Sequence, residues 1–519
     1  MKKLSYLMAA FLIAMTGCQK EPQQNEGLSS DDKVYMSFQI QTMNTRSATD
    51  TENGDDYASS DADPSIEVGL DKENTISTVD VVLRTADAFI HASNVTATED
   101  TEVTNYPTWI AEFPSSQLVN GTEYDVYIYA NCSAKQDLDA TSTATIGDIT
   151  TPDKFWMTNA YTARKTAAID LAAATKDNPF DLGIHYVERS MARFDYMPVN
   201  NNVYNVATGT TVTLTEAAII NQSKEFYLLR RVSDNGTATG ANFAIGGVEL
   251  PANYVVDTDY AAKAYGWEDG LEANFDYHMS APAGWDWQSI DPDDLDQKDN
   301  WEGTTDGKHD PNVDKGNHSL NEYYVWQYVK ENTIPGTTIQ ENGISTGVVF
   351  KGEIASTDPT ISAAMTAGET IYVFDDVLYG SWDDIKALVE AGTASEALTF
   401  AYNSVAAIAT PTAANYAQYG FKGFSPVDGK YYTYYYYWNR HNDNGDNEDM
   451  GVMEFAVVRN NVYKLCVDEI TAWGHPTPGG NDPDPDPVDP SDPDESSEYY
   501  FKVTVKVLPW VVRVNHIGF

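Results

Sequence analysis

The sequence predicts an all-β chain built as two β-sandwich lobes with a few short helices. Three observations carry this. The chain is rich in residues that suit a pleated, half-buried surface, with 33 Tyr and 11 Trp beside many Thr and Val. Long helical periodicity is scarce, and short strand-like runs recur between turn clusters, at residues 79–83, 123–129, 211–214, 225–229, 346–350, 431–438, 453–458 and 500–507. A polar stretch, SDNGTATGA at 233–241, separates the two strand-rich parts, so the lobes are expected at 47–235 and 236–475. Residues 381–391 and 321–331 are the best helix candidates.

The first residues read as an address. Lys2 and Lys3 precede an apolar run, and the small pair Thr16–Gly17 stands directly before Cys18. That order is a signal peptide at 1–17 whose cleavage leaves Cys18 first, placed to carry the lipid of a lipoprotein. A polar tether follows, and then the first strand. Val34, Met36, Phe38 and Ile40 alternate with Tyr35, Ser37, Gln39 and Gln41, which is period two with one apolar face. Behind it, residues 43–65 are polar and without apolar period, an exposed loop that contains Arg46 and Ser47.

The other end is a second tethered strand. Residues 476–497 repeat Asp-Pro, and such a segment stays extended because proline fixes φ and like charges repel. After it, at 498–519, Phe501, Val503, Val505 and Val507 share one face, with Lys502, Thr504 and Lys506 on the other. Pro509 interrupts the pattern and Trp510 resumes it. A strand on a leash is built to reach another molecule; the alternative is a last strand folding back onto its own lobe.

The charge, from 32 basic and 78 acidic residues, is −46. Such a surface repels phosphate backbones and excludes nucleic-acid binding as a function class. No later run approaches a membrane span. No catalytic constellation, cofactor motif or metal-ligand spacing is present: eight histidines are scattered, and Cys132 and Cys466 lack a paired motif. Those two cysteines are expected as buried thiols, with a disulfide the alternative in an oxidising periplasm. The acidic groups Asp443, Asn444, Asp446, Glu448 and Asp291, Asp293, Asp294, Asp296, Asp299 are expected to be solvated loops rather than calcium sites.

Several segments resemble the fimbrillins of Bacteroidales, the subunits of type V pili, and most closely the minor-fimbria shaft subunit group. The resemblance rests on YDVYIYANCS (124–133), FWMTNA (155–160), VERSMARFDY (187–196), ENTIPGTTIQENGISTGVVFKGEI (331–354), YYYWNRHNDNGDNEDMGVMEFAVVRNNVYKLCV (435–467) and VKVLPW (505–510). It implies transthyretin-like, Greek-key-like lobes and a structural, non-enzymatic role without cofactors. It implies an outer-membrane lipoprotein precursor, palmitate on Cys18 and a transient lipid anchor, followed by assembly into a surface fimbrium that supports adhesion and colonisation. An arginine-specific surface protease would cut between Arg46 and Ser47, removing a propeptide at 18–46 with the strand of Val34, Met36, Phe38 and Ile40. The strand of Phe501, Val503, Val505, Val507 and Trp510 from a neighbour would then fill the slot. Partners would be copies of the chain, accessory fimbrial subunits and a surface ligand whose identity the resemblance does not give. The alternatives are a terminal subunit, tip or anchor, and a surface glycan-binding lipoprotein.

Overall fold

The computed structural model describes residues 32–42, 67–98, 107–246, 254–256, 285–299, 323–333, 346–441, 453–478 and 501–511. The first lobe is organised by a nine-stranded sheet among these residues. Its strands are β1 (Lys33–Thr42), β3 (Val79–Arg84), β4 (Phe89–His91), β5 (Asn94–Ala97), β6 (Thr108–Pro114), β7 (Asp125–Ala130), β8 (Met157–Asn159) and β9 (Phe180–Arg189), with the short pair Arg164–Lys165 beside β7; β2 (Glu67–Val68) lies elsewhere. Their order is β4-β3-β7-β8-β9-β1-β6-β5. Strand β6, Thr108–Pro114, shows the expected alternation, with Trp109, Ala111 and Phe113 buried.

The second lobe contains two larger sheets. One joins β2, β17 (Phe501–Val511), β16 (Asn461–Ile470), β10 (Met191–Met197) and β13 (Tyr324–Lys330), in that order. The other runs β11 (Val203–Ala207), β12 (Thr210–Ile220), β14 (Gly347–Ser356), β15 (Tyr431–Trp438). Between β14 and β15 the chain leaves the sheet as an insertion with the helices Pro359–Ala367, Trp382–Glu390, Glu396–Ala406 and Ala413–Gln418. It returns in register, Ile354 opposite Tyr431. Asp358, Ser381 and Ser395 cap three of these helices by accepting backbone N–H bonds. The architecture is therefore all-β with a few short helices.

The two apolar cores interleave along the chain. The first apolar core includes Val187 and Met191, whereas Ala192, Phe194 and Tyr196 belong to the second. The chain passes between the cores at Ser190, directly between β9 and β10, and returns to the first with Phe226, Leu228 and Leu229. Residues 233–241, expected to link the lobes, instead form a hairpin tip. Arg231 pairs with Ile245, and the Asp234 N–H donates to the Ala241 carbonyl. Asn, Gly, Ser and Thr serve a tight turn as well as a linker, so composition could not separate the two.

Three smaller expectations also change. The segment expected as a helix at 321–331 is strand β13, paired antiparallel to β10; its Val and aromatic content outweighed a helical spacing. Residues 453–458 form a buried turn held by one bridge, Val457 to Asn332, rather than a strand. Part of the acidic group at 291–299 is a helix, Pro292–Asp299, whose Asp293 N–H donates to Asp291 Oδ1. Among the described residues no group of His, Cys, Asp or Glu is placed to hold a metal ion. The group at 443–448 lies outside the described residues. Cys132 and Cys466 are free thiols in different lobes.

A buried ionic seam joins the lobes. Glu73, in the short helix Asp71–Asn74, meets Arg193 Nη1 at 2.9 Å and accepts from Tyr328 Oη at 2.6 Å. Arg193 also grips Asp195 at 2.8 and 2.9 Å. Arg189 donates to the Glu73 carbonyl, Asn74 and Asn460. Arg459 binds Glu331 at 2.9 Å and the Tyr227 and Leu228 carbonyls. Arg230 binds Glu188 at 2.9 Å. All four arginines are essentially inaccessible to water. Guanidinium groups bury well here because carboxylates and carbonyls occupy their planar fork of donors.

Candidate functional site: the first strand and its slot

Strand β1 lies inside its sheet. It runs antiparallel to β6, with Val34 opposite Phe113, Met36 opposite Ala111 and Phe38 opposite Trp109. It runs parallel to β9, with Ile40 opposite His185. The sequence period predicted its buried face. Val34, Met36, Phe38 and Ile40 are 0, 0, 1 and 4% exposed, while Tyr35, Ser37, Gln39 and Gln41 are half-buried. The N-terminal end of the strand is pinned as well. The Ser115 N–H donates to the Asp32 carbonyl, the Tyr35 N–H to the Ala174 carbonyl, and Lys33 Nζ to Ser93 Oγ at 3.0 Å.

Those contacts determine what loss of the strand would leave. Each of the four apolar side chains contributes roughly 1.5–3 kcal/mol, an upper estimate because denatured chains bury some surface. An edge strand would expose one row of backbone groups on leaving. An interior strand exposes two, the facing edges of β6 and β9, separated by about 10 Å, two strand spacings. Such a slot can be satisfied by a strand of matching period and cannot readily be satisfied by water alone, since its floor is apolar.

His185 forms part of that floor. It is buried and packs edge-on against Phe38, with ring centroids 6.4 Å apart. Its Nε2 has no hydrogen-bond partner. Burial, with the Arg164 guanidinium acting in the same direction, lowers its pKa to about 4. Between pH 6.5 and 4 the unfolded chain therefore binds a proton that the folded chain refuses, and stability present above pH 6.5 is lost as pH falls. The shift corresponds to about 3 kcal/mol. Urea unfolding of the first lobe at pH 7 and pH 4.5 is expected to show a larger acid loss in the natural chain than in His185→Gln.

The other end of the proposed exchange is also placed. Strand β17 pairs antiparallel with β16, setting Phe501 opposite Ile470, Val503 opposite Val467, Val505 opposite Leu465 and Val507 opposite Tyr463. Trp510 stands opposite Glu67 of β2, which runs parallel to it. In the single chain the C-terminal strand is thus folded back on its own second lobe, the alternative that sequence pattern left open. Cys18, Arg46, Ser47 and most of the acidic tether lie outside the described residues; Arg46 stands four positions beyond the end of β1 at Thr42.

Sequence reasoning missed the seam. Its signal was arginine within apolar strand sequence: Arg189 and Arg193 in VERSMARFDY, Arg459 in VVRNNVYK. In a chain with only 32 basic residues, guanidinium groups among core residues mark buried pairs.

Residues 430–516 match the family model described as "Major fimbrial subunit protein type IV, Fimbrillin, C-terminal". That stretch holds β15, β16, β17 and the seam residue Arg459. No curated protein matches the chain. Among solved structures it is similar to a fimbrilin (FimA) from Porphyromonas gingivalis W83, 14% identical over 92% of this chain and 98% of that one, with a TM-score of 0.39. It is similar to a putative cell adhesion protein from Parabacteroides distasonis, 12% identical over 92% and 99%, TM-score 0.40. A third is the tip fimbrial protein Mfa3 from Porphyromonas gingivalis with C-terminal truncation, 9% identical over 92% and 100%, TM-score 0.30. The family match covers residues 430–516, in the C-terminal region of the chain, and does not tell shaft from tip proteins.

Proposed function

We propose that this chain is a structural shaft subunit of a surface fimbria, of the minor-fimbria group, polymerised by strand exchange. It is exported as a lipoprotein with its lipid on Cys18 and anchored transiently in the outer membrane. An arginine-specific protease cuts between Arg46 and Ser47, and the departing propeptide at 18–46 takes β1 with it. The C-terminal strand of the next copy, through Phe501, Val503, Val505, Val507 and Trp510, then enters the slot between β6 and β9. The role is structural, not enzymatic, and needs no cofactor.

The observation that carries this reading is the interior position of β1. Nothing in the folding of a permanent subunit requires a leading strand with an arginine four positions behind it in a polar stretch. A precursor that must not polymerise early does require its slot to be filled. Strand addition then supplies two backbone ladders and an apolar face together. Each new backbone hydrogen bond contributes about 0.5–1.5 kcal/mol net, which, summed over both ladders, suits a fibre joint of long lifetime.

N-terminal sequencing of subunits from sheared fibres tests the reading. Ser47 is the expected first residue. Arg46→Ala is expected to accumulate full-length lipoprotein and to cut fibre yield more than tenfold. Fibres whose subunits keep residues 18–46 would sink the mechanism.

A further inference from the structure

The outer face of the sheet formed by β12, β14 and β15 carries a second surface, unrelated to strand exchange. Along β15 the odd positions Tyr431, Thr433 and Tyr435 turn inward and are fully buried. Tyr432, Tyr434, Tyr436 and Trp438 turn the other way, with Trp285 and Trp287 packed among them. Trp287 lies 5.9 Å from Tyr434, and Trp285 meets Tyr436 edge-on at 6.4 Å. An antiparallel sheet that buries one face ordinarily presents polar side chains on the other. Here the second face is aromatic too, and Tyr432, Tyr436, Trp438 and Trp287 remain half-buried. Together they form one contiguous aromatic surface on this side of the sheet.

Two features show what the rings are shaped to meet. Trp438 lies against Gly347, its partner across the strands. A Cβ at Gly347 would stand 2.7 Å from the indole, so the ring rests on bare backbone. Charge is present but already neutralised. Lys351 Nζ sits 4.4 Å from the Tyr432 ring centre and 2.6 Å from Glu216, and Lys430 pairs with Glu353 at 2.7 Å. Among the described residues this face offers no surplus cation to draw an anion, and on a chain of net charge −46 an acidic ligand is repelled. Flat rings beside paired donors and acceptors fit a ligand with an apolar C–H face and many hydroxyls.

We propose that this face binds a neutral glycan, stacked on Trp438 and its neighbouring rings and hydrogen-bonded at Lys351 and Glu216. The test uses the full chain in native gels cast with mannan, galactomannan or dextran, with dextran sulfate as the acidic probe. Retardation by at least one neutral polysaccharide is expected, with affinity about tenfold weaker in Trp438→Ala. Lys351→Met, which leaves the rings in place, should weaken it less and serves if the first variant melts at lower temperature. The proposal is overturned by no retardation in any neutral gel, by retardation only with dextran sulfate, or by equal retardation of both variants and the natural chain. A concentration-dependent dimer lost in Trp438→Ala, with no effect of the neutral polymers, would assign the face to self-association instead.

Discussion

Replacing Glu73 by alanine is expected to lower the stability of the chain by about 3–5 kcal/mol, the cost of removing one partner from a buried ion pair. Its carboxylate, itself inaccessible to water, holds Arg193, Tyr328 and the Leu70 N–H. The variant would remove one of the two carboxylates that Arg193 grips and the carboxylate that accepts from the Tyr328 hydroxyl. Chemical denaturation followed by tryptophan fluorescence measures this directly. Replacing Glu73, Arg193 and Asp195 together by apolar residues of similar size should recover much of the loss, because no charge is then left unpaired. Equal losses in the single and triple variants would show that packing rather than charge holds the seam. Glu73 has a second significance. It follows β2, the first described element beyond Arg46, and so ties the start of this part of the chain to the lobe junction.

The sequence made the first and last strands legible because each has a clean period of two. Val34 to Ile40 need only alternation to be placed face down in a sheet, and Phe501 to Val507 likewise. Which strands they meet was not legible. Pairing of β1 with β9, well over a hundred residues away, is set by the whole topology and leaves no local signature. The passage between the two cores was hidden for a related reason. Ser190 crosses between cores within near-continuous strand sequence, without glycine or proline to mark it. The seam was obscured because sequence reading assigns charge to the surface, and only the fold brings Arg189 of one motif to Asn460 of another. Tyr431 to Trp438 read as an aromatic strand in either account; only the register over Gly347 divides its rings between core and surface.

The central claim is that the C-terminal strand leaves its own lobe to serve a neighbour. The register offers a lock: Thr504 stands opposite the native thiol Cys466, so Thr504→Cys places two cysteines across adjacent strands, within the separation a disulfide spans. The remaining thiol, Cys132, has its pKa raised to about 12 by burial and should not compete. Fibre growth from processed subunits is then followed under oxidising conditions and again after reduction. Locked subunits are expected to accept a strand yet add nothing beyond themselves, lowering growth at least tenfold, and reduction should restore the natural rate. Undiminished growth of fully locked subunits would contradict the claim, because fibres would then form with this strand still seated on its own lobe.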